Sequence, residues 1–68
     1  MKVEYDPQAD AIYIRLKHEP IATTREIDDN LVVDVDASGK IVGIEILFVS
    51  EYLTADDIES LTVQRLAS

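Results

Sequence analysis

The chain has no cysteine and no tryptophan, one histidine, one phenylalanine, two glycines and two prolines in 68 residues. Without cysteine there can be no disulfide, no thiolate metal ligand and no thiol nucleophile. Two glycines cannot furnish a phosphate-cradling loop. The lone His18 sits between Lys17 and Glu19, and no nucleophile or orienting carboxylate accompanies it in a recognisable motif, as a catalytic histidine requires. It is expected to be exposed. Ser38, Ser50, Ser60 and the threonines form no nucleophile elbow. Basic residues are also scarce, with 6 Lys and Arg against 14 Asp and Glu, so the net charge is −8 and the isoelectric point about 4.2. That balance disfavours nucleic acid and anionic lipid, and favours solubility and basic protein partners. No segment has the length of a membrane span or the layout of a signal peptide. A complete cytoplasmic protein without membrane contact is therefore expected.

What remains is a single small domain over residues 1–68. A chain of this size buries only about 60% of its unfolded surface, so its core is thin, and a partner often supplements it. Lys2 to Tyr5 alternates polar and apolar residues, Asp6-Pro7-Gln8-Ala9-Asp10 reads as a turn, and Ala11 to His18 alternates again. These segments predict a hairpin. Ala22 to Ile27 is a weaker, polar strand suited to an edge, followed by the turn cluster Asp28-Asp29-Asn30. Leu31–Val35 and Ile41–Phe48 are strong strands rich in Val and Ile. A four-residue loop, Asp36 to Gly39, pairs Val35 with Lys40, Val33 with Val42 and Leu31 with Ile44. It gathers Leu31, Val33, Val35, Val42, Ile44 and Ile46 on one face. Val32, Ile41 and Leu47 then lie on the other face, where a second subunit or the C-terminal segment would cover them. Thr54 begins a short helix, with Asp57 completing a capping box and Leu53 and Ile58 a hydrophobic staple. Residues 61–66 fit helix or strand, and a short strand is favoured. The expected fold is α+β and mostly β: an antiparallel meander of four or five short strands with one short C-terminal helix. Its expected core comprises Val3, Tyr5, Ile12, Ile14, Leu16, Leu31, Val33, Val35, Ile44, Ile46, Phe48, Leu53, Ile58 and Leu61. Tyr5, Tyr13 and Tyr52 are read as large core or rim residues.

The segment Asp34 to Glu45 matches the calcium loop of an EF-hand almost letter by letter, with acids at positions 1, 3 and 12, Ser38 at 5 and Gly39 at 6. Its flanks read as strands rather than helices. In the hairpin register above, Asp34 pairs with Ile41, and Glu45 lies about 13 Å further along at about 3.3 Å per residue. A shared ion is then out of reach, Asp36 and Gly39 shape the turn, Gly43 packs opposite Val32, and Asp34 and Glu45 meet solvent. The metal candidates are thus weak ones, Asp34, Asp36, Ser38 and Glu45, and no cofactor is expected. Asp6, Asp10, Asp28 and Asp29 are read as turn formers.

The run Val3-Glu4-Tyr5-Asp6-Pro7-Gln8-Ala9-Asp10-Ala11-Ile12-Tyr13-Ile14-Arg15-Leu16 precedes Asp34-Val35-Asp36 and Gly39-Lys40-Ile41-Val42-Gly43-Ile44-Glu45-Ile46-Leu47. Together they resemble the domain of unknown function 2283 family, small and mostly prokaryotic proteins. The resemblance spans roughly Met1 to Tyr52. It implies a compact β-rich domain with no assigned enzymatic activity and no catalytic residues to transfer. It also assigns the calcium-like pattern to a hairpin and, through a proximity to toxin-like genes, suggests an antitoxin or accessory role. The expected function is a non-enzymatic protein-interaction module with a protein partner, a basic one by charge, and with self-association as a homodimer. The alternatives are an antitoxin-like inhibitor of a basic nuclease and a calcium-binding protein.

Overall fold

A computed structural model describes residues 1–67. Among the described residues the fold is α+β and mostly β: one five-stranded antiparallel sheet, a single 3-10 turn and one short helix. The strands are β1 (Lys2–Asp6), β2 (Ala11–Arg15), β3 (Thr23–Asp28), β4 (Leu31–Val35) and β5 (Ile41–Leu47). The 3-10 turn is Val49–Glu51, and the helix, α1, is Ala55–Glu59. No helix is long and apolar enough to cross a membrane among the described residues.

The strand order is β1-β2-β5-β4-β3, so the strands do not lie side by side in chain order as a meander would place them. The reason is visible in composition. A meander would put β3 at the centre, yet its sequence Thr-Thr-Arg-Glu-Ile-Asp is exposed along its whole length. A central strand meets neighbours on both sides, and the Val- and Ile-rich β5 suits that place far better. Residues 16–22 therefore carry the chain past the ends of β5 and β4. The Leu16 amide donates to the Val42 carbonyl at 2.8 Å and the Ala22 amide to the Val35 carbonyl at 2.8 Å.

The turn between β1 and β2 is built as expected. The Asp6 carboxylate accepts from the Gln8 and Ala9 amides at 3.0 and 3.2 Å. Asp10 closes it in the left-handed region, with φ 54°. Its carboxylate also accepts from the Ser50 amide at 3.0 Å and hydroxyl at 2.7 Å, and its carbonyl accepts from the Val49 amide at 3.1 Å. Asp10 thus ties the 3-10 turn to the first hairpin. Phe48, also left-handed at φ 57°, ends β5 and swings Val49 into full burial.

The β4–β5 hairpin departs from the expected register. Val35 pairs with Ile41, whereas Asp34 pairs with Gly43, Val33 with Ile44 and Leu31 with Ile46; Val42 is the extra residue of a bulge. The Asp36 carboxylate captures the Ser38 and Lys40 amides and the Ser38 hydroxyl, which draws Lys40 into the turn. Left alone, that one-residue change would turn every side chain of β5 over. The bulge restores the alternation, so Leu31, Val33, Ile44 and Ile46 share a face as expected. Gly43 consequently lies opposite Asp34 rather than Val32, and Val32 lies opposite Glu45.

The pairings set out two kinds of row across the sheet. Val3, Ile14, Ile44, Val33 and Arg25 stand side by side on one face; Glu4, Tyr13, Glu45, Val32 and Glu26 do so on the other. Burial is greatest at Ala11, Ile12, Val35, Val42 and Val49. Of the expected core, Val3, Ile14, Leu31, Val33, Ile44, Ile46, Leu53 and Ile58 are only half-buried, and Tyr5, Leu16, Phe48 and Leu61 are exposed. Ile12 at 4% and Val35 at 7% exposure lie near the two ends of the face that carries Ile14, Ile44 and Val33, so the middle row of that face is its less covered part. The apolar face is thus the one bearing Ile14, Ile44 and Val33, not the one bearing Val32.

Helix α1 follows its sequence signals. Thr54 caps it, accepting from the Asp57 amide at 3.1 Å, while the Asp57 carboxylate accepts from the Thr54 amide at 2.8 Å. The Thr54 amide first, and the Thr54 hydroxyl second, hold the Asp57 carboxyl below the usual carboxylate range. Residues 61–66 form neither the favoured strand nor a helix. An alternating pattern yields a strand only where a sheet edge takes up its amides and carbonyls, and this segment reaches none.

Candidate functional site

The most organised polar cluster crosses four strands on the charged face. Tyr13 on β2 extends over Gly43 on β5, and its hydroxyl donates to the Asp34 carboxylate on β4 at 2.7 Å. The other Asp34 oxygen accepts from the Thr24 hydroxyl on β3 at 2.6 Å. Gly43 makes this path available, since a Cβ there would stand 2.6 Å from Tyr13 Cζ. Desolvation by partial burial pushes the Tyr13 phenol above its ordinary value, and its bond to Asp34 and the negative charge of that carboxylate add to the effect. The phenol therefore stays protonated and serves Asp34 as a donor.

Each metal candidate has a place in this arrangement. Asp34 is half-buried and engaged on both oxygens, not solvated as expected. Asp36 holds the turn and receives the Lys17 ammonium at 3.0 Å. The Ser38 hydroxyl, then the Lys40 amide, then Lys17 hold the Asp36 carboxyl far below the usual carboxylate range. Ser38 is itself a donor to Asp36. Glu45 stands beside Tyr13 and Val32 in the pairing. With Asp34 opposite Gly43, Glu45 is two positions along the strand, about 7 Å away, rather than four. The calcium-like spacing is therefore shorter than the sequence register implied, but the Tyr13 phenol and the Thr24 hydroxyl occupy the Asp34 oxygens. Among the described residues no group of three or more His, Asp or Glu side chains is arranged to hold a metal. His18 is exposed.

Two shallow depressions flank this cluster. One, of about 200 Å³, is lined by Glu4, Asp6, Ala9, Ala11, Tyr13 and Glu45. It is acidic on three sides. The other, of about 310 Å³, lies between the 16–22 crossover and the β4–β5 turn and includes Glu19, Ile21, Asp36 and Ser38. Neither brings a nucleophile together with a base and a set of oxyanion donors. Reading the sequence missed the Tyr13–Asp34–Thr24 line. The clue was present in Gly43, a strand-interior glycine, which often marks close approach of another group.

A family model described as "Protein of unknown function (DUF2283)" matches residues 2–50, which hold all five strands. No curated protein and no solved structure matches the chain. The matched span contains the first hairpin, the Asp36 turn and the Tyr13–Gly43–Asp34 crossing, and on that match the chain belongs to the DUF2283 family.

Proposed function

We propose that this chain is a non-enzymatic protein-interaction module of the cytoplasm that docks through the open apolar face of its sheet. The observation that carries this reading is the row Val3, Ile14, Ile44 and Val33, which is only half-buried while Ile12 and Val35 on the same face are buried. Contiguous apolar surface of this kind, rimmed by polar residues, is characteristic of contact sites. Affinity capture from a native lysate at low salt tests it. The wild-type chain should retain a specific protein that a Val33→Asp variant does not, and equal retention by both would sink the idea.

A second reading draws on the opposite face. Glu4, Asp6 and Glu45 line one depression, and with a net charge of −8 they suit a basic protein surface such as that of a nuclease toxin. An antitoxin-like inhibitor would use that face. Co-expression should then relieve the toxicity of a neighbouring gene product, and a Glu4→Lys, Glu45→Lys variant should not. Persistent toxicity with the wild-type chain would end this reading.

A further inference from the structure

We infer that the occupant of the open apolar face is a second copy of this chain, packed sheet against sheet about a two-fold axis. The inference rests on the interaction reading above and names its partner.

Area is the first argument. A compact monomer of 7.6 kDa is expected to expose about 4,300 Å². This chain exposes 5373 Å². The excess, about 1,100 Å², is comparable to the roughly 800 Å² that each partner contributes to a stable interface. Part of it belongs to the segment after Glu59, where Leu61, Val63 and Leu66 are 45%, 72% and 76% exposed. A second copy would cover the half-buried row Val3, Ile14, Ile44 and Val33 and take up that segment, with the C-terminal segment of each chain lying along the edge of the other's sheet.

Charge distribution is the second argument. Lys2, Glu4, Asp6, Arg15, Glu26, Asp34 and Glu45 all stand on the other face by strand alternation. On the open face, the two rows that cross all five strands contain two charged residues of opposite sign, Arg25 and Asp28, and both lie on the edge strand β3. Two highly acidic chains would ordinarily repel. Here the open faces can meet with the strand carboxylates other than the edge residue Asp28 turned outward, separated by two sheets packed about 10 Å apart and screened over about 8 Å at physiological salt. A self-complementary apolar patch meeting itself about a two-fold axis is also the commonest route to a symmetric oligomer.

The test uses the purified full chain alone. Sedimentation equilibrium from about 10 µM to about 1 mM should give twice the chain mass at the upper end, and the thermal midpoint should rise with protein concentration as mass action requires. Added salt should strengthen association. Val3→Glu places a charge on the open face at an edge strand, where the fold tolerates it, and should weaken association at least about tenfold. Glu26→Gln, on the opposite face, should leave it unchanged. A one-chain mass at every concentration, with a concentration-independent midpoint, overturns the dimer. That result leaves the lysate experiment standing, because capture of a different protein does not depend on self-association.

Discussion

Replacing Gly43 by alanine separates the close approach of Tyr13 from every other property of the sheet. The new Cβ would stand 2.6 Å from Tyr13 Cζ, so the ring must leave its path and its hydroxyl must release Asp34. A hydrogen bond to a charged acceptor contributes about 1.5–3 kcal/mol. Against this, alanine in a strand interior is favoured over glycine by about 0.5–1 kcal/mol, because glycine loses more backbone freedom on folding. Gly43→Ala should therefore destabilise the chain by about 1–2 kcal/mol, the loss outweighing the gain. In a Tyr13→Ala background nothing remains to collide with. There the same substitution should be neutral or stabilising by up to about 1 kcal/mol. Urea unfolding of the four chains in this cycle gives the coupling directly, and a value near zero would refute the proposition that Gly43 exists to let Tyr13 pass.

Other outcomes follow from the hydrogen-bond geometry. Asp36 has a depressed carboxyl, so its contribution is fully present above the unfolded value of about 3.9 and is lost as the pH falls through the folded one; acid unfolding followed by circular dichroism should be less steep in Asp36→Asn. Tyr13 is shifted upward, so its contribution is fully present below about pH 10 and lost as the pH rises through the folded value. Tyrosinate absorbance should show one late-titrating phenol that Tyr13→Phe removes and Asp34→Ala brings down. Thr54→Ala removes a cap worth about 1 kcal/mol, but the helix it caps is short and exposed. Its effect should appear as faster amide hydrogen exchange at Asp57 and Ile58 with little change in the global midpoint, and a large global loss would contradict that placement.

Local chemistry was the most legible part of the sequence. The Asp6 turn, the Thr54–Asp57 box and the limits of β4 all follow from residues adjacent in the chain. The strand order was less so, although the polarity of β3 already conflicted with the central place a meander would give it. The hairpin register failed by two residues, one from the length of the Asp36 turn, which depends on how many amides one carboxylate collects, and one from the bulge at Val42; alternation reports neither. Core membership was overestimated for Tyr5, Leu16, Phe48 and Leu61 because apolar character marks residues fit for burial, whereas actual burial needs something to lie against them. The charged-face cluster was hidden for a related reason. Tyr13, Thr24 and Asp34 are distant in sequence and meet only through the β2–β5 and β3–β4 pairings.

The central position of β5 has a consequence for the order in which the molecule can be made. The ribosome delivers β1 and β2 first, then β3 and β4, yet these two hairpins share no strand pairing until β5 enters between them. Two-stranded hairpins are marginal alone in water, so the nascent chain has little to hold until residue 47 has emerged. Folding is then a late, largely all-or-none event in which the last strand synthesised joins the earlier ones. A chain released before β5 would leave two acidic hairpins without a common sheet, which makes premature termination anywhere upstream equivalent to losing the whole domain.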